Sequence, residues 1–216
     1  MSAPPTGRCA PAGQLADHLA AAERLHELLP ELNAVGDRLI DVYRTGGRLY
    51  TFGNGGSAAD AQHLAGEFIG RYLRERRPLP AVSLVTDPSV TSCIGNDYSY
   101  DEVFARQVQA LVTPGDMVVG FTTSGRSANV IRGLAEARKA GAVTVLFVGG
   151  EHDGMPAAQY ADHILPAPAT ATARIQEMHL TLLHLLSEQV DAWAADGLLP
   201  PASEPAPDDV RQENAE

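Results

Sequence analysis

Sulfur and positive charge are scarce in this sequence. Cysteine occurs twice, as Cys9 and Cys93, far apart and in no metal-like or redox-like spacing. That argues against a disulfide scaffold and fits a reducing cytosol. Lys and Arg number 16 against 27 Asp and Glu, for a formal net charge of -11. A chain this acidic is a poor general binder of nucleic acid, and an anionic ligand has to be held by local donors against the global field. No apolar run approaches the roughly 20 residues needed to span a bilayer, so no membrane partner is expected. The opening MSAPPTGRCAPAG has no basic region followed by an apolar stretch, so no secretory signal is expected and the expected location is cytoplasmic.

Apolar residues, by contrast, make up 44% of the chain, enough to build a full core. Residues 1–12, rich in Ala and Pro, and the acidic, Pro-rich residues 199–216 read as disordered tails around a single domain over 13–198. Gln14 to Leu29 reads as an amphipathic helix with Leu15, Leu19, Ala22, Leu25 and Leu29 on one face; Pro30 interrupts it, and a second helix runs to about Thr45. Short strand-like segments follow at Arg48–Phe52, Ala81–Val85, Asp116–Phe121, Ala142–Val148 and Ala161–Leu165. Helical patterns at Ala58–Leu73, Asp101–Leu111, Ser127–Ala140 and Thr172–Ala195 alternate with them. The most apolar segments do not alternate strictly, as expected of strands buried on both faces. The expected fold is α/β, a parallel sheet with helices on both faces and additional N-terminal helices. Ligands of such sheets bind where a strand's carboxyl end passes into a helix.

Two such loops stand out. In Gly53-Asn54-Gly55-Gly56-Ser57-Ala58 the glycines permit close backbone approach and helix-start N–H groups point at a ligand; a tight strand-to-helix turn is the plainer reading. The match to a dinucleotide fingerprint is weak, because no acidic residue follows at the required distance. In Thr122-Thr123-Ser124-Gly125-Arg126-Ser127 four hydroxyls crowd the start of a helix, where an ordinary cap needs one. Hydroxyls and amides there can chelate phosphate without net positive charge. No Walker lysine is present, which disfavours a nucleotide triphosphatase.

His63 and Glu67 share a helix face and could hold a metal such as zinc, or form a solvated polar pair. Gln176 and His184 lie about two turns apart on the last helix. His18, His26, His152 and His163 read as surface residues.

Taken together, Gly53–Ser57, Asp60 with His63 and Glu67, Gly70-Arg71-Tyr72, Ser92–Asp97, Thr123-Ser124-Gly125 with Ser127-Ala128-Asn129, and Arg174–Glu177 through His184 resemble the phosphoheptose isomerases of the sugar isomerase (SIS) domain superfamily. The likeness spans roughly residues 30–195. It implies a flavodoxin-like sheet, a homotetramer with active sites at subunit interfaces, one zinc per subunit and a sugar phosphate, sedoheptulose 7-phosphate, as substrate. Carried over residue by residue, it implies zinc ligands at His63, Glu67, Gln176 and His184, and acid/base roles for Glu67 and His184. Substrate contacts fall on Asn54, Gly55, Gly56, Ser57, Glu67, Arg71, Asn96, Asp97, Thr122, Thr123, Ser124, Ser127 and Gln176. This chain departs from some members at Thr122 (Ser there), Ala58-Ala59 (His-Cys there) and Ala173 (Asp there). A non-catalytic paralogue that binds a replication initiator shares the Ala173–His179 run but lacks a His at the position of His184, so a binding protein is the alternative. Gln176 and His184 are separated by roughly 12 Å along a helix, while zinc–ligand bonds are about 2 Å long. One of the two is therefore expected from a neighbouring subunit.

Overall fold

The structure, a computed structural model, describes residues 11–150 and 154–197. Most of both expected tails, and His152, lie outside the described residues. Within them, α1 (Pro11–Arg24), a 3-10 turn (Leu25–Leu28) and α2 (Leu29–Arg44) precede β1 (Leu49–Gly53). Then come α3 (Gly56–Ile69), β2 (Ala81–Ser83), α4 (Pro88–Asp97), a 3-10 turn (Tyr100–Glu102) and α5 (Ala105–Leu111). The chain closes with β3 (Met117–Phe121), α6 (Ala128–Lys139), β4 (Val143–Gly149), β5 (His163–Ala167) and α7 (Thr172–Ala195).

The five strands form one parallel sheet in the order β2-β1-β3-β4-β5, the flavodoxin-like order. Alternate residues of β3 serve two cores. Met117, Val119 and Phe121 pack under α2, α3 and α7. Val118 packs on the other face with Val108, Val130 and Leu134 of α5 and α6. Thus the sheet is covered on both faces, as the unalternating strand sequences require. Thr51 ties β1 to α3 by donating its hydroxyl to the Ala61 carbonyl at 2.7 Å.

Several expected boundaries shift, for physical reasons. Helix α3 stops at Ile69 rather than Leu73, because the guanidinium of Arg76 takes the carbonyls of Glu67 and Phe68 at 2.8 and 3.1 Å. Helix α4 was not legible as a helix. Asp87 starts it, accepting N–H bonds from Ser89 and Val90, with Pro88 in the first turn. The apolar stripe expected along α1 is not buried as a face by the described residues. Ala21 and Leu25 are buried, while Leu15 and Leu19 are each 59% exposed. The 3-10 turn after Arg24 resets the helical phase, so one straight stripe cannot be followed inward. Nor are His18 and His163 simple surface groups. His18 pairs with Glu177 of α7 at 2.7 Å, and His163 of β5 with Glu31 of α2 at 2.9 Å.

Candidate active site

In this topology the order of connection reverses between β1 and β3, so their carboxyl ends frame a crevice. A cavity of about 310 Å³ lies there, lined by Asn54, Gly55, Gly56, Ser57, Phe121, Thr122, Thr123, Ser127, Thr172 and Gln176. Eight of these are expected substrate contacts; Phe121 and Thr172 complete the lining.

The local sequence makes the cavity. Gly55, with φ +56°, holds a backbone turn that side-chain-bearing residues rarely adopt. This turn delivers the first N–H groups of α3 to the cavity, and they lack intrahelical acceptors. Gly56 lies under the Gln176 amide, where a Cβ would fall 2.4 Å from Nε2. On the other side, the second loop spends part of its hydroxyl set on its own turn. The Thr122 hydroxyl accepts the Gly125 N–H and that of Ser124 accepts the Arg126 N–H, both at 3.3 Å. Ser127 occupies the N-cap position of α6, yet its side chain makes no capping bond. The hydroxyl excess is thus more than a helix cap.

Helices α3 and α7 run parallel: Gly56 meets Gln176 near their starts, and His63 meets His184 about two turns further on. There His63, Glu67 and His184 gather, each offering a ligand atom within 4.8 Å of the others. His63 Nε2 stands 2.8 Å from Glu67 Oε1 and 3.1 Å from His184 Nε2. Ligand atoms of a tetrahedral zinc with bonds of about 2 Å stand about 3.3 Å apart, so this donor set fits such an ion. Burial pushes the His184 imidazole down, the neighbouring His63 adds to this, and Glu67 opposes it. The neutral form so favoured is the one that can ligate or accept a proton. Tyr72 covers the group, its ring centroid 5.8 Å from that of His184.

Within one chain, then, Gln176 is not beside this cluster. It belongs to the cavity about two turns away, while Glu67 and His184 come from the same chain. Four other expected contacts also stand outside the cavity lining. Arg71 is exposed and turns to the Leu73 carbonyl at 3.3 Å. Asn96 donates to Asp97 at 2.8 Å on the exposed last turn of α4, and Ser124 is exposed.

Three polar groups nearby carry no strong signal of their own in the sequence. Asn129, only 3% exposed, forms a reciprocal amide pair with Asn54. Asp60 is buried, its Oδ2 has no partner among the described residues, and burial pushes its carboxyl up to about 6 against the pull of His63. His179 lies fully buried against Phe121 and Phe147. Burial pushes it down to about 4, against its hydrogen bond to the Val148 carbonyl, so it stays neutral near pH 7 and acts as packing.

Residues 15–149 match the SIS domain family. A phosphoheptose isomerase of Roseiflexus sp. (strain RS-1) is 49% identical over 162 residues, covering 75% of this chain and 81% of the relative. This chain belongs to the phosphoheptose isomerase family. The family's representative in Aquifex aeolicus (strain VF5) is 51% identical over 153 residues, covering 71% of this chain and 79% of its own. The solved phosphoheptose isomerase of Neisseria gonorrhoeae superposes with a TM-score of 0.78 at 37% identity, over 84% of this chain and 96% of that one. As a phosphoheptose isomerase family member, the chain is an isomerase with the SIS fold. No helix among the described residues is long and apolar enough to cross a membrane.

Proposed function

We propose that the chain converts sedoheptulose 7-phosphate to a heptose 7-phosphate of the glycero-manno type, by proton transfer through an enediol. The observation that carries this reading is the convergence of Glu67 with His63 and His184 on the same two helices that open the hydroxyl- and amide-lined cavity. Ketose-to-aldose conversion needs a base at carbon, a proton handler at oxygen and stabilisation of the enediolate. Glu67 takes the proton from one carbon and returns it to the next. His184, held neutral, moves the proton between the two oxygens. Ser57, Thr122, Thr123, Ser127 and the α3 amides hold the phosphate without net positive charge. Zinc held by this ligand set would supply Lewis acidity toward the carbonyl and hydroxyl oxygens.

The proposed assembly is a homotetramer in the cytoplasm, with each site at a chain interface and one zinc per subunit. Support comes from distance: Gln176 stands about two turns from His184, too far to share an ion within one chain. His63, Glu67 and His184 of one subunit would therefore be joined by Gln176 of another, with Arg71, Asn96, Asp97 and Ser124 brought to substrate by assembly. The exposed Leu15 and Leu19 of α1 offer apolar surface for such contacts. A non-catalytic binding role is not favoured, since His184 is present and stands in the cluster.

Sedoheptulose 7-phosphate offered to the protein before and after chelation tests this reading. Turnover is expected to fall at least about tenfold on chelation and to return with zinc. Full activity after verified metal removal would strike zinc from the proposal, and no turnover with zinc present would strike the reaction.

A further inference from the structure

We propose that Asn129 is a positioning residue that locks Asn54 as a hydrogen-bond donor toward the cavity. The inference rests on the sugar-phosphate site proposed above, and Asn129 is not among the substrate contacts expected there. Asn129 is the second residue of α6, and its side chain lies between the two ligand-facing loops. Its Oδ1 accepts the Val130 N–H at 2.9 Å and an Asn54 Nδ2 hydrogen at 2.8 Å, and its own Nδ2 donates to Asn54 Oδ1 at 2.9 Å.

The Val130 contact settles which way both amides point. A backbone N–H can only donate, so the Asn129 atom facing it is the carbonyl oxygen. The nitrogen of Asn129 then faces Asn54, and Asn54 must answer with its oxygen. The Tyr100 hydroxyl donates to the same oxygen at 3.3 Å. An amide oxygen has two lone pairs, and both are now engaged. An amide nitrogen has two hydrogens, and only one is engaged. What Asn54 retains for the cavity is therefore a single N–H. A ligand atom at that point has to be an acceptor: a phosphate, carbonyl or hydroxyl oxygen.

Because the pair joins the β1–α3 loop to the first turn of α6, this polarity is set before any ligand arrives. It spares the ligand the cost of choosing between two amide orientations. Asn129→Asp is the informative change. It keeps the shape and the Val130 contact, but turns an oxygen toward Asn54 Oδ1, so the amide pair is broken.

The test is steady-state kinetics together with calorimetric binding of sedoheptulose 7-phosphate. Wild type is compared with Asn129→Asp, Asn54→Ala, the double variant and Tyr100→Phe. Asn129→Asp is expected to raise KM and Kd about tenfold while kcat stays within about threefold, as loss of uniform binding does. The double variant is expected to bind no worse than Asn54→Ala alone, because Asn129 acts through Asn54. Tyr100→Phe, at a 59% exposed residue, is expected to weaken binding about twofold to threefold without changing the unfolding temperature. A lowered unfolding temperature with KM and Kd unchanged, or additive losses in the double variant, would reduce Asn129 to a structural role. Wild-type binding without turnover would refute the proposed reaction while leaving the Kd comparison to judge Asn129. Absence of both binding and turnover would overturn both.

Discussion

Glu67→Gln is expected to lower turnover of sedoheptulose 7-phosphate by about 10³-fold while the protein stays folded. The carboxamide is nearly isosteric but cannot take a proton. Glu67 lies on the partly exposed face of α3, and its side chain is 19% exposed, so the core below it is untouched. Turnover within about tenfold of wild type, with circular dichroism unchanged, would remove Glu67 as the carbon base. The same variant reports on the shared site. Glu67 and His184 belong to one chain's cluster, so mixing Glu67→Gln with His184→Ala is expected to restore nothing. Mixing Glu67→Gln with Gln176→Ala in equal amounts under subunit exchange is expected to recover activity, because about a quarter of all sites then hold two intact halves.

The second large effect concerns the clamp behind the cluster. Asp191 of α7 is fully buried and accepts the N–H groups of Leu73 and Arg74 at 3.2 and 2.8 Å and Nε of Arg76 at 2.7 Å. Arg76, 1% exposed, also holds the Glu67 carbonyl at 2.8 Å. The ion pair therefore fastens the end of α3 that carries Glu67 to α7, which carries His184. Burial pushes the Asp191 carboxyl up, but the Arg74 N–H, the Arg76 guanidinium and the Leu73 N–H together outweigh it and hold it below the ordinary carboxylate value. A carboxyl lowered by folding contributes stability that is present above its unfolded pKa and lost as pH falls through the folded one. The loss from this group is thus expected below about pH 4. Asp191→Asn leaves the Arg76 charge buried without a counter-ion and is expected to cost about 3–5 kcal/mol. In a chain of this length that lowers the unfolding midpoint by roughly 10 °C. A loss under about 1 kcal/mol in urea titration would show that the pair contributes no more than a surface bridge.

The fold was largely legible because its signals are local. Apolar strand runs bounded by Gly and Asp located all five strands, and the pattern from Thr172 to Ala195 matched α7 at both ends. Helix α4 escaped because its apolar residues, Val90 and Ile94, are few and mixed with Ser, Thr, Cys and Gly; the Asp87-Pro88 start was the available signal. Leu15 and Leu19 show the converse, a stripe legible in sequence that the described residues leave exposed. The two loops declared themselves by Gly and hydroxyl content at strand-to-helix joints. His63 with Glu67 was readable from spacing, whereas the approach of His184 depends on how α3 packs on α7. Asn54 and Asn129 pair across 75 residues, and no periodicity reports such a contact.

The most direct test of the account is the reaction of the zinc-loaded protein with sedoheptulose 7-phosphate in D2O, followed by proton NMR. An enediol route with Glu67 as base passes the migrating hydrogen through a group able to exchange with solvent. The expected product is an aldose 7-phosphate carrying deuterium at C2. Formation of no aldose, or of an aldose fully protiated at C2, would contradict it.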